Sequence, residues 1–153
     1  MLDMRRREFI ALLGSAAAWP LATHAQQPAL PVVGYVSIAG ATPERERAFR
    51  QGLGEAGYSE GRNVTVEYHL LEGRLDRLPA VMADLVRRRV SLIAAGGGTA
   101  LAAKALGTSI PIVFTSGVDP IQQGIVTSLN RPDGNMTGVA FFITALGPKQ
   151  LFH

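Results

Sequence analysis

The sequence predicts an α/β domain built as a doubly wound parallel sheet, with helices on both faces. Short apolar segments rich in β-branched residues alternate along the chain with segments whose apolar residues recur at helical spacing. The turns that would join these apolar segments as antiparallel hairpins are missing, so successive strands must run parallel. The predicted order of elements is therefore β-α-β-α-β-α-β-α-β.

Composition excludes several other classes of protein. A chain of 153 residues is long enough for one domain with a hydrophobic core. Apolar residues make up 47% and charged residues 18%, which excludes a disordered chain and a chain made of membrane spans. The net charge of +3 and the lack of a basic patch interleaved with aromatic residues do not favour nucleic-acid binding. Cysteine is absent, which excludes disulfides, thiol nucleophiles and thiolate metal ligands.

Residues 1–25 have the three-part plan of an export signal. Three arginines at 5–7 precede a soft apolar run over 9–22, and small residues stand at the −3 and −1 positions of a cut after Ala25. As a helix this run would rise about 21 Å, less than the ~30 Å hydrocarbon core of a bilayer. The sequence "RREFI" is similar to a twin-arginine signal, with general secretion as the alternative because Arg5 replaces the usual Ser or Thr.

The first strand and helix of the exported part are predicted at "PVVGYVSIA" (31–39) and at 42–56. The strand is β-branched and is bounded by Pro31 and Gly40. Thr42 and Pro43 fit the N-cap and the first helical position. The apolar face of this helix consists of Phe49, Leu53 and Ala56. The charged residues that we interpret as its solvated face are Glu44, Arg45, Glu46, Arg47 and Arg50.

The second strand and helix are predicted at "NVTVEYHL" (63–70) and at 75–89. Apolar and polar residues alternate in the strand, which indicates a half-exposed strand near an edge of the sheet. Apolar residues recur at helical spacing in the second segment, and Pro79 lies early enough for the first helical turn. Arginines at 87–89 stand at the negative end of that helix's dipole, where cations are stabilising.

Three further strands and two helices complete the pattern. The strands are predicted at "VSLIAA", "IPIVFTS" and "MTGVAFF", and the first two are continuous apolar runs typical of buried parallel strands. The helices are predicted at "TALAAKAL" (99–106) and "IQQGIVTSL" (121–129). Asp119 and Pro120 fit the N-cap and first turn of the second of these helices.

Three loops are expected to meet at the carboxyl edge of this sheet, where folds of this class bind ligands. They span 37–42, 96–99 and 115–119. Glycines let a ligand approach the backbone closely, and helix-start amides near Thr99 and Ala100 suit an anion. The hydroxyl groups that reach this edge belong to Ser37, Thr99, Thr115 and Ser116.

The glycine-rich turn does not match the known phosphate loops. No lysine directly follows 96–98, and the third glycine of a dinucleotide fingerprint is missing. A tight turn without a ligand stays an alternative, as does pure helix capping for Asp119. His69 and His153 lack triad partners nearby in sequence, and neither a nucleophile elbow nor a metal-ligand spacing occurs. We therefore predict a protein that is not an enzyme and that uses neither a metal nor a cofactor.

Several long segments resemble the substrate-binding proteins of ABC transporters, specifically the group that includes tryptophan- and tyrosine-binding members. The resemblance runs from the leader to about residue 150. The segments that carry it are "RRREFIALLGSAAAWPLA", "AFRQGLGEAGYSEGRNVTVEY", "DRLPAVMADLVRRRV", "GGGTALAAKA", "IPIVFTSGVDPIQQGIVTSLNRPDGNMTGV" and "LGPKQL".

The resemblance implies a periplasmic-binding-protein-like (type I) fold, in which two α/β lobes close on a small amino-acid-like solute. It implies a periplasmic protein whose partner is the membrane permease of an ABC transporter. The ligand contacts that it implies fall on Ser37, Gly97, Gly98, Thr99, Ala100, Thr115, Ser116 and Asp119. Family members are longer and cross to a second lobe near "LGPKQL". We therefore expect residues 26–145 to form the first lobe and residues 146–153 to begin a truncated crossover. A small nucleotide- or phosphate-binding α/β enzyme and a remnant without binding function are the alternatives.

Overall fold

The computed structural model describes residues 29–40, 42–96, 98–130 and 134–141. The strands are β1 Val32–Ser37, β2 Thr65–Leu70, β3 Leu92–Gly96, β4 Ile112–Ser116 and β5 Met136–Ala140. The helices are α1 Pro43–Glu55, α2 Leu78–Arg87 and α3 Ala100–Ala105, and a 3₁₀ turn at Leu75–Arg77 leads into α2. The predicted leader, Gly97 and the predicted crossover at 146–153 lie outside the described residues.

All five strands pair in parallel in the order β2-β1-β3-β4-β5, which confirms the predicted sheet. β2 lies at one edge, as its alternating pattern indicates, and β5 lies at the other. From β1 the chain adds β2 on one side and then crosses over to add β3 on the other. The connections that leave the carboxyl ends of β1 and β3 therefore run to opposite faces of the sheet. Their separation opens a crevice at this place, the topological switch point of the sheet. Ser37 and Gly96, the last residues of these two strands, are direct register partners.

The larger core lies between the sheet and the helices α2 and α3. Its fully buried members include Met82 and Leu85 of α2 and Ile93 and Ile112 of the sheet. Helix α2 approaches β1 closely because Gly34 has no side chain. A Cβ atom at Gly34 would lie 2.7 Å from one terminal carbon of Leu85 and 2.8 Å from the other.

Helix α1 lies on the opposite face of the sheet, so helices on both faces are confirmed. On that face Val113 of β4 is exposed, so β4 is buried on one face only, against the prediction of a fully buried strand. Phe49 and Leu53 of α1 pack over β1 and β2. The ring of Tyr35 lies with its centroid 4.9 Å from that of Phe49 and 5.6 Å from that of Tyr68. α1 begins at Pro43, and the carbonyl of Thr42 accepts the amides of residues 45 and 46, whereas its side chain makes no capping hydrogen bond.

The end of α2 is tied to β2 by an ion pair. The guanidinium of Arg88 donates to both carboxylate oxygens of Glu67, at 2.8 and 2.6 Å, and to Asp84 at 2.7 Å. This contact with Arg88 holds the pKa of Glu67 below its usual value. Arg88 thus has a specific partner on the sheet in addition to its place near the end of the helix dipole.

The helix predicted over 121–129 is wrong. Asp119 does cap this segment, because its Oδ1 accepts the amides of Ile121 at 2.8 Å and Gln122 at 3.4 Å. The chain then turns at Gly124, whose φ of 71° lies in the left-handed region. The carbonyl of Pro120 accepts the amide of Ile125 at 2.8 Å, which closes a single turn. Across the described ranges, none of the helices has the length and hydrophobicity needed to cross a bilayer.

Candidate functional site: a crevice at the carboxyl edge of the sheet

A cavity of about 460 Å³ lies where β1, β3 and β4 end. This volume falls within the ~300–1,000 Å³ that is usual for small-molecule sites. The cavity lies at the β1–β3 switch point, so the topology and the cavity agree on the position of the site. Its described lining is Tyr35, Ser37, Arg45, Gly96, Gly98, Ala100, Leu101, Thr115, Ser116, Gly117, Val118, Gln123, Ile125 and Phe141.

Gly96 keeps the floor of the crevice open. A Cβ atom at this position would lie 3.4 Å from the hydroxyl oxygen of Tyr35 and 3.8 Å from Oγ1 of Thr115. The two hydroxyl groups therefore flank a bare stretch of backbone. A solute placed there would meet peptide groups with hydroxyls on either side, which is suitable for orienting a small polar group.

Gly98 is the exposed glycine of the turn between β3 and α3. Its φ of 91° lies in the left-handed region, and an added Cβ would lie 3.3 Å from Cδ1 of Ile38. Glycine is therefore required here both by the backbone conformation and by the close approach of Ile38. Gly98 lines the crevice, as predicted from its place on the second loop.

Thr99 does not contribute its side chain to the crevice, so that part of the prediction is wrong. Thr99 is fully buried, and its hydroxyl lies 3.1 Å from the carbonyl oxygen of Val36 and 3.0 Å from that of Gly96. The hydroxyl therefore joins the ends of β1 and β3 to the start of α3. Ala100 lines the crevice, but only 2% of its surface is exposed. Helix α3, which begins at Ala100, has only six residues.

The third loop divides its residues between the crevice and its own turn. Thr115 is exposed and lines the crevice. Ser116 also lines it, but its hydroxyl donates to the carbonyl of Val118 at 2.7 Å and accepts the amide of the same residue at 3.3 Å. Asp119 is absent from the described lining, and its carboxylate caps the turn that follows, which is the capping alternative for this residue.

Several lining residues lie outside the set predicted from the sequence. Arg45 is exposed, as its place on the predicted solvated face of the helix indicates, and it also lines the crevice together with Tyr35 and Phe141. Gln123 and Ile125 reach the crevice because the segment after Asp119 turns back instead of continuing as a helix. Alternation along β1 places Tyr35 on the same face of the sheet as Ser37, so this residue could have been found from the pattern.

The arrangement is suited to binding. The lining combines peptide groups, hydroxyls, one guanidinium and apolar side chains, and within the described ranges no group of three His, Asp or Glu residues could hold a metal ion. A crevice at the switch point of a parallel α/β sheet is the place where folds of this class bind small molecules.

Comparison with known proteins gives the family. The sequence profile of the family described as "ABC transporter substrate binding protein" matches residues 32–145. Because this match covers most of the chain, the protein belongs to that family, as its sequence segments indicate. The type I periplasmic-binding-protein-like α/β fold predicted from the resemblance is also confirmed by solved relatives.

This chain spans less than half the length of three similar proteins. A tyrosine-binding protein of Clostridioides difficile is 27% identical over 100 residues, which are 65% of this chain and 29% of the relative. A ligand-free, open substrate-binding protein with adhesive properties from Clostridium difficile has a TM-score of 0.67 at 22% identity, over 76% of this chain and 40% of that one. An ABC domain in complex with L-Trp from Streptococcus pneumonia has a TM-score of 0.64 at 23% identity, over 72% of this chain and 38% of that one.

Proposed function

We propose that this chain is the N-terminal lobe of the solute-binding component of an ABC-type importer, which captures a small amino-acid-like solute in the periplasm. The observation that supports this most directly is the crevice at the β1–β3 switch point, floored by Gly96 and bordered by Ser37, Gly98 and Thr115. The leader-like residues 1–25 support export, and the membrane permease of the transporter is the partner that this role requires.

Binding on this proposal uses peptide groups and hydroxyls without any chemical step. The solute would lie across the ends of β1, β3 and β4, and a second lobe would close over its exposed side. The family match and the binding of Tyr and Trp by relatives support an aromatic amino acid as the solute class. Residues 26–145 form this lobe, and its ligand contacts are Ser37, Gly98, Thr115 and Ser116 with the backbone around Ala100.

Isothermal titration calorimetry tests the proposal. The 153-residue chain is titrated with L-tyrosine, L-tryptophan and other L-amino acids, and separately with ATP and inorganic phosphate. We expect at least one amino acid to bind with a measurable heat, and a second amino acid to compete with it for a single site. Tight binding of ATP or phosphate without any response to amino acids would favour the nucleotide-binding alternative. No heat from any of these compounds would favour a chain without binding function.

A further inference from the structure

Arg45 places a single formal charge in an otherwise uncharged crevice. Among the described residues that line the crevice, it alone is ionisable as a cation or an anion near neutral pH. It also lines an adjoining cavity of about 320 Å³, together with Phe49 and Phe141. Arg45 therefore lines both the crevice, where hydroxyl groups of Tyr35 and Thr115 lie, and the adjoining cavity, where Phe49 and Phe141 lie.

The side chain of Arg45 has no partner within the described part of the chain. Some cations near it do have partners, whereas Arg47, which lies outside the crevice lining, has none among the described residues either. Arg50 forms ion pairs with Glu46 and Glu60, and the ammonium of Lys104 donates to the carbonyl of Gly124 at 2.6 Å. A planar group with five N–H donors is thus left available beside the crevice.

The position of Arg45 in α1 is not explained by helix stability. It is the third residue of the helix, and its backbone amide donates to the carbonyl of Thr42 at 3.0 Å. The first turn of a helix carries the positive end of the dipole, which favours the flanking Glu44 and Glu46 and disfavours a cation. An anion bound in the crevice would interact favourably with the guanidinium and with this end of the helix.

We propose that Arg45 determines the solute class: the crevice takes an organic acid whose carboxylate pairs with the Arg45 guanidinium. The body of the acid is apolar or aromatic and lies against Tyr35, Phe141 and the aliphatic wall formed by Leu101 and Ile125. This inference rests on the proposed function, because it concerns the same crevice. It moves recognition of the carboxylate from the start of α3, where Thr99 is fully buried, to a side chain of α1.

Three related probes separate the carboxylate from the rest of the solute. They are 3-(4-hydroxyphenyl)propionate, which has only the carboxylate, tyramine, which has only the amine, and L-tyrosine, which has both. Calorimetry on the 153-residue chain should show binding of the two acids and at least about tenfold weaker binding of tyramine, the usual effect of losing a charged hydrogen bond.

Variants of α1 then test Arg45 itself. Arg45→Gln should weaken both acids by about five- to tenfold, since an exposed guanidinium is partly screened by solvent. Arg45→Lys should restore part of the affinity, because it keeps the charge but lacks the planar fork. Arg47→Gln is the matched control: it removes the same charge from the same helix outside the crevice lining and should change nothing. Circular dichroism of each variant verifies that it is folded.

The possible results are distinguishable. Equal binding of tyramine and L-tyrosine, or acid binding that Arg45→Gln leaves unchanged, would overturn the role of Arg45 while solute binding stands. Silence of the unmodified chain toward these probes and toward the amino acids above would overturn both proposals. A fall in acid affinity with added salt that disappears in Arg45→Gln would support direct pairing.

Discussion

Replacing Thr99 by valine separates a structural role from a role in binding. Valine has nearly the same shape as threonine but lacks the hydroxyl group. The hydroxyl lies 3.0 Å from the carbonyl of Gly96 and 3.1 Å from that of Val36, and Thr99 is fully buried. Because the one hydroxyl proton that the two buried carbonyls share would be lost, Thr99→Val should lower the free energy of unfolding by about 1–2 kcal/mol. For a chain of this size, that corresponds to a fall in Tm of roughly 2–8 °C.

Urea unfolding followed by circular dichroism measures this change, and Thr115→Val is the matched control. Thr115 is exposed and lines the crevice, so its variant should keep the stability of the unmodified chain and weaken solute binding. Thr99→Ser, which keeps the hydroxyl, should recover much of the lost stability. A Thr99→Val variant as stable as the unmodified chain but unable to bind solute would refute this account, since the hydroxyl would then have to contact the solute.

Two further predictions concern the scaffold. Arg88 lowers the pKa of Glu67, so their pairing stabilises the fold at pH values above the ordinary carboxyl pKa, and this stabilisation is lost as pH falls through the lower pKa of the folded state. In urea unfolding, Glu67→Gln should therefore lower the free energy of unfolding fully at pH 7 and not at all in acid. A loss of stability that does not depend on pH would contradict this. Gly34→Ala should lower the free energy of unfolding by about 1–3 kcal/mol, because the added Cβ crowds Leu85. Gly54→Ala should raise the free energy of unfolding by up to about 1 kcal/mol, because the added Cβ meets nothing within 4 Å and alanine favours the helix. Equal effects at the two positions would rule out crowding as the cause.

The sheet could be predicted from the sequence because each strand carries a simple pattern. β3 and β4 are short apolar runs, and the alternation in β2 correctly indicates an edge. The segment 121–129 failed because its apolar residues have helical spacing while Gly124 adopts a left-handed conformation. A single glycine inside a helical pattern does not exclude a helix, so the sequence pattern does not reveal this break. The structure shows it by the hydrogen bond from the amide of Ile125 to the carbonyl of Pro120, which closes the turn.

The site could be located from the sequence, but the roles of its residues could not. Parallel topology brings the three loops to one edge, and Ser37, Gly98 and Thr115 do line the same crevice. Whether a hydroxyl points outward or holds the backbone depends on burial, which the pattern around Thr99 does not reveal. Arg45 was missed for the opposite reason: a charged residue in a charged helix is usually solvated, and only the packing of α1 brings it to the crevice.

Buried polar residues of the crevice hold its shape, and its exposed groups are left to contact a solute. The Thr99 hydroxyl is engaged with the carbonyls at the ends of β1 and β3, and the Ser116 hydroxyl is engaged with Val118 in its own turn. A solute can meet the backbone at Gly96 and Gly98, the exposed Thr115 and the Arg45 guanidinium, which has no partner among the described residues. Backbone groups recognise many polar solutes alike, whereas a guanidinium discriminates by charge. Specificity at this crevice should therefore depend more on Arg45 than on the glycine-rich turn, although the turn is the more conspicuous feature of the sequence.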